Sequence, residues 1–435
     1  MTTPEVLSRL RLSPFTKTDR RTRRPYCLFR ADKTIYGLKE SGKLSHDRLL
    51  SLLARFGFLQ TSTPCLFRHT TRLIAFVLVV DDCGIKYQNR DDFDFLVQCL
   101  STLYHVKAHP IAHSFLGFTL QHDRNLRTLS LSYPGYVDSL LARLRPDGIK
   151  GCATPSIYTP PRFGSATPQT PTVDPEPPAS SAQRKELQVA VGYLMYYGRC
   201  VDSRILPATC ALASEQSTAT LGTLKRLDRL LGYVSVHRHG SRIFRASDML
   251  LTVFSDASYL SRPRARSVTG SFHFLGLGGS LVSGLPFDPL DFINGPISCH
   301  TNVIPVVCSA VQEAEYAGLF ACARIADDER RILANLGYPQ PPTLLLCDNE
   351  CAVGLANRTM VPRLSKSIDM RFHWLQDRIQ QRQFIVKHVA GNRNVSDYFT
   401  KALPRSKHDQ YAPYCASDPV DDSPASPLRT RSHAS

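Results

Sequence analysis

The amino-acid sequence predicts an α+β fold divided into two or more domains. Three observations lead to this prediction. Residues 76–86 have the pattern of a buried strand, an acidic turn and a second strand, and residues 151–182 form a Pro-, Thr- and Ser-rich divider. From residue 250 onward, short apolar strands are followed by a long helical segment. A chain of 435 residues is long enough for two or three domains.

The acidic turn is the first candidate site. Residues 76–80 are an unbroken apolar run rich in β-branched side chains, so burial on both faces is expected. Asp81 and Asp82 follow directly, and neighbouring carboxylates repel each other unless a cation such as Mg²⁺ binds them. A surface turn that closes a hairpin is the alternative interpretation of such a pair.

Composition narrows the class of protein. The formal net charge of +16 suits a polyanionic partner, although a merely basic protein would have the same balance. The 13 cysteines form no CxxC pair, which indicates reduced thiols rather than a disulfide framework or a structural zinc site. Because there is no membrane-length apolar run and no signal-peptide pattern, we expect a soluble intracellular protein with no membrane partner; composition does not distinguish a cytoplasmic particle from the nucleus.

The helical and strand patterns place further elements along the chain. Amphipathic helices are predicted before Gly57 and over residues 91–104, and helical periodicity resumes over 183–236. Beyond residue 250, strands are predicted at 251–258, 268–275, 279–283, 343–347 and 384–389. A helix is predicted from Ser309 to Leu336.

Four acids in this second half fall at the ends or starts of predicted elements. Asp256 is expected as an exposed carboxylate at the end of its strand, and Asp348 follows another strand, while Glu315 and Asp397 lie on helical segments. Several carboxylates together are what two-metal hydrolysis of a phosphodiester requires. Glu313 competes with Glu315; we interpret Glu313 as a helix N-terminal charge. Any one of these acids taken singly would more often be a surface residue.

The motifs resemble a known family when they are read in order. YGLKESG at 36–42, VVDD at 79–82, FLGF at 115–118 and LSL at 129–131 are similar to the reverse transcriptase–ribonuclease H segment of Ty1/copia-type retrotransposon polyproteins. The resemblance runs from about residue 28 to residue 404. It implies a partial reverse-transcriptase palm and thumb followed by an RNase H-like α/β domain.

Composition and the resemblance together suggest domain borders. They are a basic flexible arm (1–27), a partial palm and thumb (28–150), an extended linker (151–182), a helical connection (183–247), an RNase H-like domain (248–404) and a disordered tail (405–435).

The implied activity is that of RNA-directed DNA polymerases, with cleavage of RNA in RNA–DNA hybrids. The implied cofactor is Mg²⁺ in two-metal sites, with Mn²⁺ as a substitute, and the implied partners are an RNA–DNA hybrid, an RNA template and a DNA primer. The catalytic and metal-binding residues implied are Asp81, Asp82, Asp256, Glu315, Asp348 and Asp397. The residues implied to contact nucleic acid are Lys39, Lys43, Lys366, Arg371 and His373; a solvated helix face is the alternative for these basic residues.

The chain departs from the family pattern in several places. The family carries its first polymerase aspartate in a D-V-K-x-A-F-type motif, and no such motif precedes Tyr36, so we expect an N-terminally truncated chain with an incomplete polymerase site. The family usually has Tyr at the position of Val79 and often His at the position of Ser367. Two possibilities therefore stay open: a partner chain that supplies the missing fingers segment, and a catalytically decayed remnant that at most binds nucleic acid.

Overall fold

The computed structural model describes residues 17–23, 25–26, 39–160, 174–276, 290, 293–360 and 370–418. The chain divides into two compact units, one of Met1–Val79 with Ile85–Pro110 and one of Val80–Gly84 with Ile111–Ser435. The predicted border between residues 150 and 151 therefore lies inside the second unit, because the hairpin after Pro110 belongs to the same compact unit as the helices that follow it.

The first unit is a small α/β layer. Its elements are β1 (Lys17–Thr18), β2 (Pro25–Tyr26), α1 (Ser41–Arg55), β3 (Phe58–Gln60), β4 (Leu66–His69), β5 (Ile74–Val79), the part of β6 (Asp82–Tyr87) from Ile85 onward, and α2 (Arg90–Ser101). Strands β3 to β6 form one sheet in chain order. Phe67 and Phe76 stack at 4.9 Å between ring centroids in its core, and Leu53 from α1 is fully buried. The two predicted amphipathic helices are present, although Leu44 of the expected apolar stripe is 56% exposed.

The predicted flexible arm is partly ordered. Strands β1 and β2 pair as a short antiparallel hairpin, and the Asp19 carboxylate accepts the backbone N–H groups of Arg21 and Thr22 at 2.9 and 2.6 Å. These bonds close the turn, since an Asx-type carboxylate substitutes for a backbone acceptor.

The second unit begins with a hairpin sheet and a helical bundle. Its elements are β7 (Ser114–Phe115), β8 (Phe118–Asp123), β9 (Thr128–Ser132), α3 (Tyr136–Leu144), α4 (Ser181–Cys200), α5 (Leu206–Glu215), α6 (Leu221–Val236) and β10 (Ser241–Arg245). Strand β10 pairs antiparallel with β9, so the chain after the bundle returns to the hairpin sheet. Leu187, Leu194, Leu227 and Tyr233 are among the buried residues that join these helices.

The predicted extended linker is packed at both ends. Thr154 and Ala179 are buried, and Pro178 pairs with Thr220 in an isolated bridge. The carboxylate of Asp174 accepts the Thr220 hydroxyl at 2.8 Å. Residues 161–173 of the predicted linker lie outside the described residues.

The second unit ends in a five-stranded mixed sheet. Its strands are β11 (Leu250–Arg262), β12 (Arg266–Gly276), β13 (Pro296–Val303), β14 (Thr343–Cys347) and β15 (Phe384–His388), in the order β13-β12-β11-β14-β15. The first three strands are antiparallel, and β14 and β15 run parallel to β11. The helices are α7 (Val311–Asn335), α8 (Glu350–Ala356), α9 (Met370–Gln380) and α10 (Arg405–Cys415).

Both faces of this sheet are covered by other elements. Strand β11 shows this, since its successive side chains point to opposite faces. Val253 is buried with residues of α7, α8 and α9 on one side. Phe254 is buried on the other side with Phe399 and Tyr411 from the C-terminal segment.

One prediction for this region falls on residues that the structure does not describe, and one needs correction. The predicted strand at 279–283 lies outside the described residues, and the third strand observed is β13, which pairs with β12 from Val268↔Val303 to Phe274↔Pro296. The predicted disordered tail instead begins with α10, in which His408, Tyr411 and Cys415 are buried. Ser417 then pairs with Ser241, each backbone N–H donating to the other's carbonyl at 2.7 Å. Residues 419–435 lie outside the described part of the chain.

Among the helices of the described residues, none is both long enough and apolar enough to cross a bilayer.

Candidate active site: a buried carboxylate cluster

Asp256 lies in the middle of the central strand. Strand β11 continues to Arg262, so the prediction of an exposed carboxylate at a strand end is wrong; Asp256 is only 2% exposed. Its cross-strand partner on β12 is Gly270. On the other side, the pairing of Ser255 with Cys347 on β14 sets Asp256 beside the end of that strand.

Gly270 allows the C-terminal segment to cross the sheet next to Asp256. A Cβ atom at Gly270 would lie 2.7 Å from Thr400 Cγ2, 2.8 Å from Phe399 Cβ and 3.0 Å from the Ser396 carbonyl. The 3₁₀ helix Val395–Phe399 therefore fits only over a residue without a side chain. This crossing brings Asp397, which is 6% exposed, to the carboxylate of the central strand.

Glu315 reaches the same place from α7. It lies in the second turn of that helix and is 6% exposed. One turn further, a Cβ at Gly318 would lie 3.2 Å from the Asp256 carbonyl, so the missing side chain lets the helix approach β11 closely. Glu313 does not share this site: its Oε2 accepts the backbone N–H and the hydroxyl of Ser309, both at 2.7 Å, before the helix begins.

Asp348 stands where β14 turns into α8. The strand ends at Cys347, and the side chain of Asn349 accepts the backbone N–H of Ala352 at 2.9 Å and so caps α8, which leaves Asp348 between the two elements. A Cβ at Gly391 would lie 3.3 Å from Asp348 Oδ2, so the loop after β15 also approaches closely because it has a glycine there.

The four acids converge from four separate elements. One oxygen each from Asp256, Asp348 and Asp397 lie within 4.8 Å of one another, and a second group with the same spacing joins Glu315, Cys347 and Asp348. Within the described residues, these two groups are the ones of three or more His, Cys, Asp or Glu side chains that could hold a metal ion. Asp348 belongs to both groups, so the two positions are adjacent.

Three further residues hold the cluster in place, and sequence reasoning did not single them out. The Thr400 hydroxyl donates to Asp256 Oδ2, and Lys401 Nζ donates to Asp397 Oδ1 at 2.7 Å. Asn394 Nδ2 donates to the Ser255 carbonyl at 3.0 Å, which ties the crossing segment to β11. The available signal was their position along the chain, since all three lie within four residues of Asp397.

The electrostatics of the cluster favour a bound cation. Burial, followed by the charges of Asp397 and Asp348, raises the pKa of Asp256, and burial with the charges of Asp256 and Asp348 raises that of Glu315. Burial also raises the pKa of Asp348. Glu315 Oε2 is buried without a hydrogen-bond partner. Buried acids that repel each other and an unsatisfied oxygen are what a divalent cation would neutralise, so the donor set fits a hard metal ion.

The predicted polymerase residues have a different setting. Asp81 and Asp82 are exposed, and Asp81 lies with Val80 in the turn between β5 and β6. Val80 has φ 55° and is 87% exposed. Among the described residues, neither aspartate belongs to a group of three metal ligands.

The predicted nucleic-acid contacts are only partly described. Lys39 and Lys43 are exposed before and within the first turn of α1, and His373 is exposed on α9. Lys366 and the side chain of Arg371 lie outside the described part of the structure.

Strand order, the long helix α7 and the carboxylate cluster on the central strands define an RNase H-like α/β domain. It follows a smaller sheet with an acidic hairpin turn, which is the order expected for a reverse-transcriptase-like part followed by an RNase H-like part.

The curated relatives that the chain resembles are Pol polyproteins of transposons. The Retrovirus-related Pol polyprotein from transposon TNT 1-94 of Nicotiana tabacum is 24% identical over 382 residues, which is 87% of this chain and 27% of that polyprotein. The corresponding protein from transposon RE2 of Arabidopsis thaliana is 26% identical over 388 residues, 88% of this chain and 24% of the relative. The transposon TyH3 Gag-Pol polyprotein of Saccharomyces cerevisiae is 20% identical over 397 residues, 87% of this chain and 21% of the relative.

The resemblance to Ty1/copia-type polyproteins is therefore confirmed: the chain is similar to a reverse transcriptase–RNase H segment of such a Pol polyprotein. It spans about a quarter of the length of the curated relatives it matches. A search against protein-family models finds no match.

Two solved structures are similar in part. LC11-RNase H1, isolated from compost, aligns with 35% of this chain and 93% of its own at 11% identity and a TM-score of 0.26. The foamy viral protease-reverse transcriptase in complex with dsDNA aligns with 85% of this chain and 60% of its own at 14% identity and a TM-score of 0.41. Both scores are below 0.5, so the class of the fold rests on the strand order and the helix positions given above.

Proposed function

We propose that this chain acts as a metal-dependent ribonuclease H, which hydrolyses the RNA strand of an RNA–DNA hybrid. The observation that supports the proposal is the convergence of Asp256, Asp348 and Asp397 within 4.8 Å, with Glu315 beside them and its Oε2 buried without a hydrogen-bond partner. Four acids from four distant stretches do not meet in a buried pocket for stability, because burying like charges is unfavourable.

The same four carboxylates would hold the metal, which we propose is Mg²⁺, with Mn²⁺ as a substitute. When bound, a pair of divalent ions supplies an activated water and stabilises the departing oxygen of the phosphodiester. The chain's own residues orient the ligands: Thr400 fixes one oxygen of Asp256, and Lys401 fixes one oxygen of Asp397. Such partners set the direction in which the free lone pairs point.

The proposed substrate follows from charge and from the site. A net charge of +16 favours association with a polyanion, and a cluster that binds cations is suited to phosphodiester chemistry. Selection of RNA over DNA would come from contacts to the 2′-hydroxyl, the group that distinguishes the two strands. Lys366, Arg371 and His373 are the proposed contacts of this domain, and Lys39 and Lys43 are those of the first unit.

For the polymerase site we propose that this chain by itself extends a primer little or not at all. Asp81 and Asp82 are exposed at a hairpin turn, and no third ligand joins them among the described residues. Two carboxylates without a third partner hold a pair of metal ions poorly. Primer extension on an RNA template tests this proposal, and robust extension that depends on Asp81 would contradict it.

Hybrid cleavage is the direct test of the nuclease. The parent chain should cleave the RNA strand in Mg²⁺ and stop when the metal is chelated. Asp256→Asn should lower the rate by more than about 100-fold, beyond the 10- to 100-fold typical of residues that only orient a ligand. The matched control is Asp409→Asn, which makes the same charge change at a 59% exposed surface side chain on α10 and should cleave like the parent.

The result also separates the nuclease from a decayed remnant. A remnant would bind the hybrid with or without Asp256 and cleave it in neither case. Equal cleavage by the parent and Asp256→Asn would also show that the nuclease assignment is wrong, since the activity would then come from elsewhere.

A further inference from the structure

The second ligand group of the active site contains a sulfur atom. A thiol Sγ of Cys347 lies within 4.8 Å of carboxylate oxygens of Glu315 and Asp348. We propose that Glu315, Cys347 and Asp348 form a thiophilic cation position that takes Zn²⁺ or Cd²⁺ in preference to Mg²⁺. The position shares Glu315 and Asp348 with the proposed nuclease site and deepens that proposal, but its ion binding can be measured without any cleavage.

The fold holds Cys347 at this position. It is the last residue of β14, paired with Ser255 of β11 on one side and His388 of β15 on the other, and its side chain is fully buried. Its Sγ accepts the backbone N–H of Asn349 at 3.5 Å, a long contact that leaves lone pairs available. The sulfur is therefore fixed by the central strands rather than by a mobile loop.

Glu315 supplies an independent indication that the position takes a ligand. The residue is 6% exposed, and its Oε2 is buried with no hydrogen-bond partner. Burying a carboxylate oxygen away from water without a hydrogen-bond donor costs free energy unless a cation binds it. The same carboxylate contributes an oxygen to the group that includes Sγ.

Ligand chemistry then selects the kind of ion. Mg²⁺ takes oxygen ligands and has little affinity for sulfur, whereas Zn²⁺ binds thiolate together with carboxylate. Zinc lies about 2.3 Å from sulfur and about 2.0–2.2 Å from oxygen, so its ligand atoms are roughly 3.6 Å apart in a tetrahedron. Side-chain adjustments of about 1 Å bring the three atoms from their present spacing to that separation. On binding, the Cys347 thiol gives its proton to the buffer and the thiolate bonds to the ion.

The chain offers two cysteines as matched controls. Cys322 is buried in the same core on α7, but its Sγ donates to the Leu319 carbonyl at 3.2 Å and belongs to neither ligand group. Cys351 is exposed on α8, one turn after the cluster, and belongs to neither group within the described residues. Cys322→Ala controls for the loss of a buried thiol, and Cys351→Ser controls for binding by an accessible thiol near the site.

The primary experiment is a Cd²⁺ titration of the metal-free full chain, followed by the ultraviolet sulfur-to-cadmium charge-transfer band. We expect a saturable band in the parent, Cys322→Ala and Cys351→Ser, and a loss of that band in Cys347→Ser and Cys347→Ala. The two variants at Cys347 are both made so that a folding defect in one does not decide the outcome. A band of unchanged size and midpoint in either folded variant at Cys347 would overturn the proposal.

Inhibition by zinc gives a second readout. Hybrid cleavage in Mg²⁺ is measured at rising zinc concentration, and each protein is compared with its own rate without zinc. The zinc concentration that halves this rate should be at least about tenfold higher for Cys347→Ala than for the parent. Loss of a ligand weakens zinc binding at least as much as loss of a residue that orients a ligand. Equal zinc sensitivity would contradict the proposal.

The two readouts fail separately. A Cys347-dependent cadmium band in a chain that cleaves no hybrid would retain this site and reject the nuclease. Cleavage without such a band would retain the nuclease and reject the site.

Discussion

The carboxylates of the cluster are held close together although their charges repel. Asp256 and Glu315 are buried, and among the described residues Lys401 is the cation placed against the cluster, through its hydrogen bond to Asp397. Burial alone would lower the pKa of Lys401, but the charges of Asp256 and Asp397 raise it. One ammonium does not balance four acids, so the metal-free site is expected to destabilise the fold that contains it.

Removing one of these charges should therefore stabilise the metal-free protein. We expect Glu315→Gln to raise the free energy of unfolding in a chelator by on the order of 1 kcal/mol, because an amide is not repelled by Asp256. Mg²⁺ should stabilise the parent more than this variant, since a ligand that binds the native state adds to its stability. Thermal unfolding with and without Mg²⁺ measures both effects.

Glu313→Gln is the matched control for this variant. It makes the same change two residues away, where the carboxylate accepts the Ser309 N–H and hydroxyl at the helix start, and it should be neutral or destabilising. An equal rise in stability for both variants would mean that Glu315 is not under charge strain.

Glycines determine how closely the elements of this site approach one another. Gly318 lets α7 lie against β11, and Gly270 lets the segment Val395–Phe399 cross β12. Neither role was visible in the sequence, because a glycine in a strand or helix pattern does not reveal which backbone lies above it.

Gly270→Ala should displace the segment that carries Asp397. Its Cβ would lie 2.7 to 3.0 Å from three atoms of that segment, one of which is a backbone carbonyl, so the segment must move. We expect a loss of about 1 to 3 kcal/mol in stability and a fall of at least about tenfold in hybrid cleavage. Urea unfolding and the cleavage assay provide the two measurements.

Gly192→Ala provides the comparison. That glycine lies on an exposed face of α4, and a Cβ there would meet no atom within 4 Å. Alanine favours the helix by about 0.5 to 1 kcal/mol, so this variant should be neutral or more stable, with normal cleavage. A similar loss in both variants would argue against crowding at Gly270.

The elements that sequence patterns predicted are those with strong local periodicity. Helices α1, α2 and α7, the strands β5 and β6 with their acidic turn, and strands β11, β12, β14 and β15 follow from apolar spacing and from turn residues. The third strand, β13, was not predicted from the sequence, because its position is set by its pairing with β12. Helix α10 was missed because its sequence is polar, and its buried residues, such as Tyr411, are defined by the far face of the sheet.

The candidate acids were identified from their order along the chain. The burial of Asp256 was not predicted. That burial depends on the segment that crosses β12. Thr400 of this segment donates to the Asp256 carboxylate from a position 144 residues later in the chain. The supporting contacts of Thr400 and Lys401 depend on the same crossing.

At the scale of the whole molecule, the sheet also contains a buried polar cluster away from the acids. His273 Nδ1 contacts Glu329 Oε2 at 2.7 Å, and its Nε2 contacts the Ser271 hydroxyl at 2.9 Å. His300 lies 5.4 Å from the His273 ring, and its Nε2 is buried without a partner. Burial, followed by the neighbouring His273, lowers the pKa of His300 to about 4; Glu329 opposes this shift and Arg199 adds to it.

This histidine should make stability depend on pH. Because the folded-state pKa is lower than the ordinary value of 6.5, the unfolded chain binds the proton more tightly. The contribution of His300 is therefore fully present above pH 6.5 and is lost as the pH falls toward 4. We expect His300→Gln to flatten the pH dependence of the free energy of unfolding in that window. An unchanged slope in His300→Gln would assign the acid sensitivity to other groups.

The cation site is the claim on which the proposed chemistry depends most directly. Anomalous diffraction from crystals of the chain soaked in Mn²⁺ would test it. We expect at least one manganese peak ligated by Asp256, Asp348 and Asp397, and no such peak in crystals of Asp256→Asn. Well-ordered carboxylates at these positions with no ion among them, in crystals that contain the metal, would contradict it.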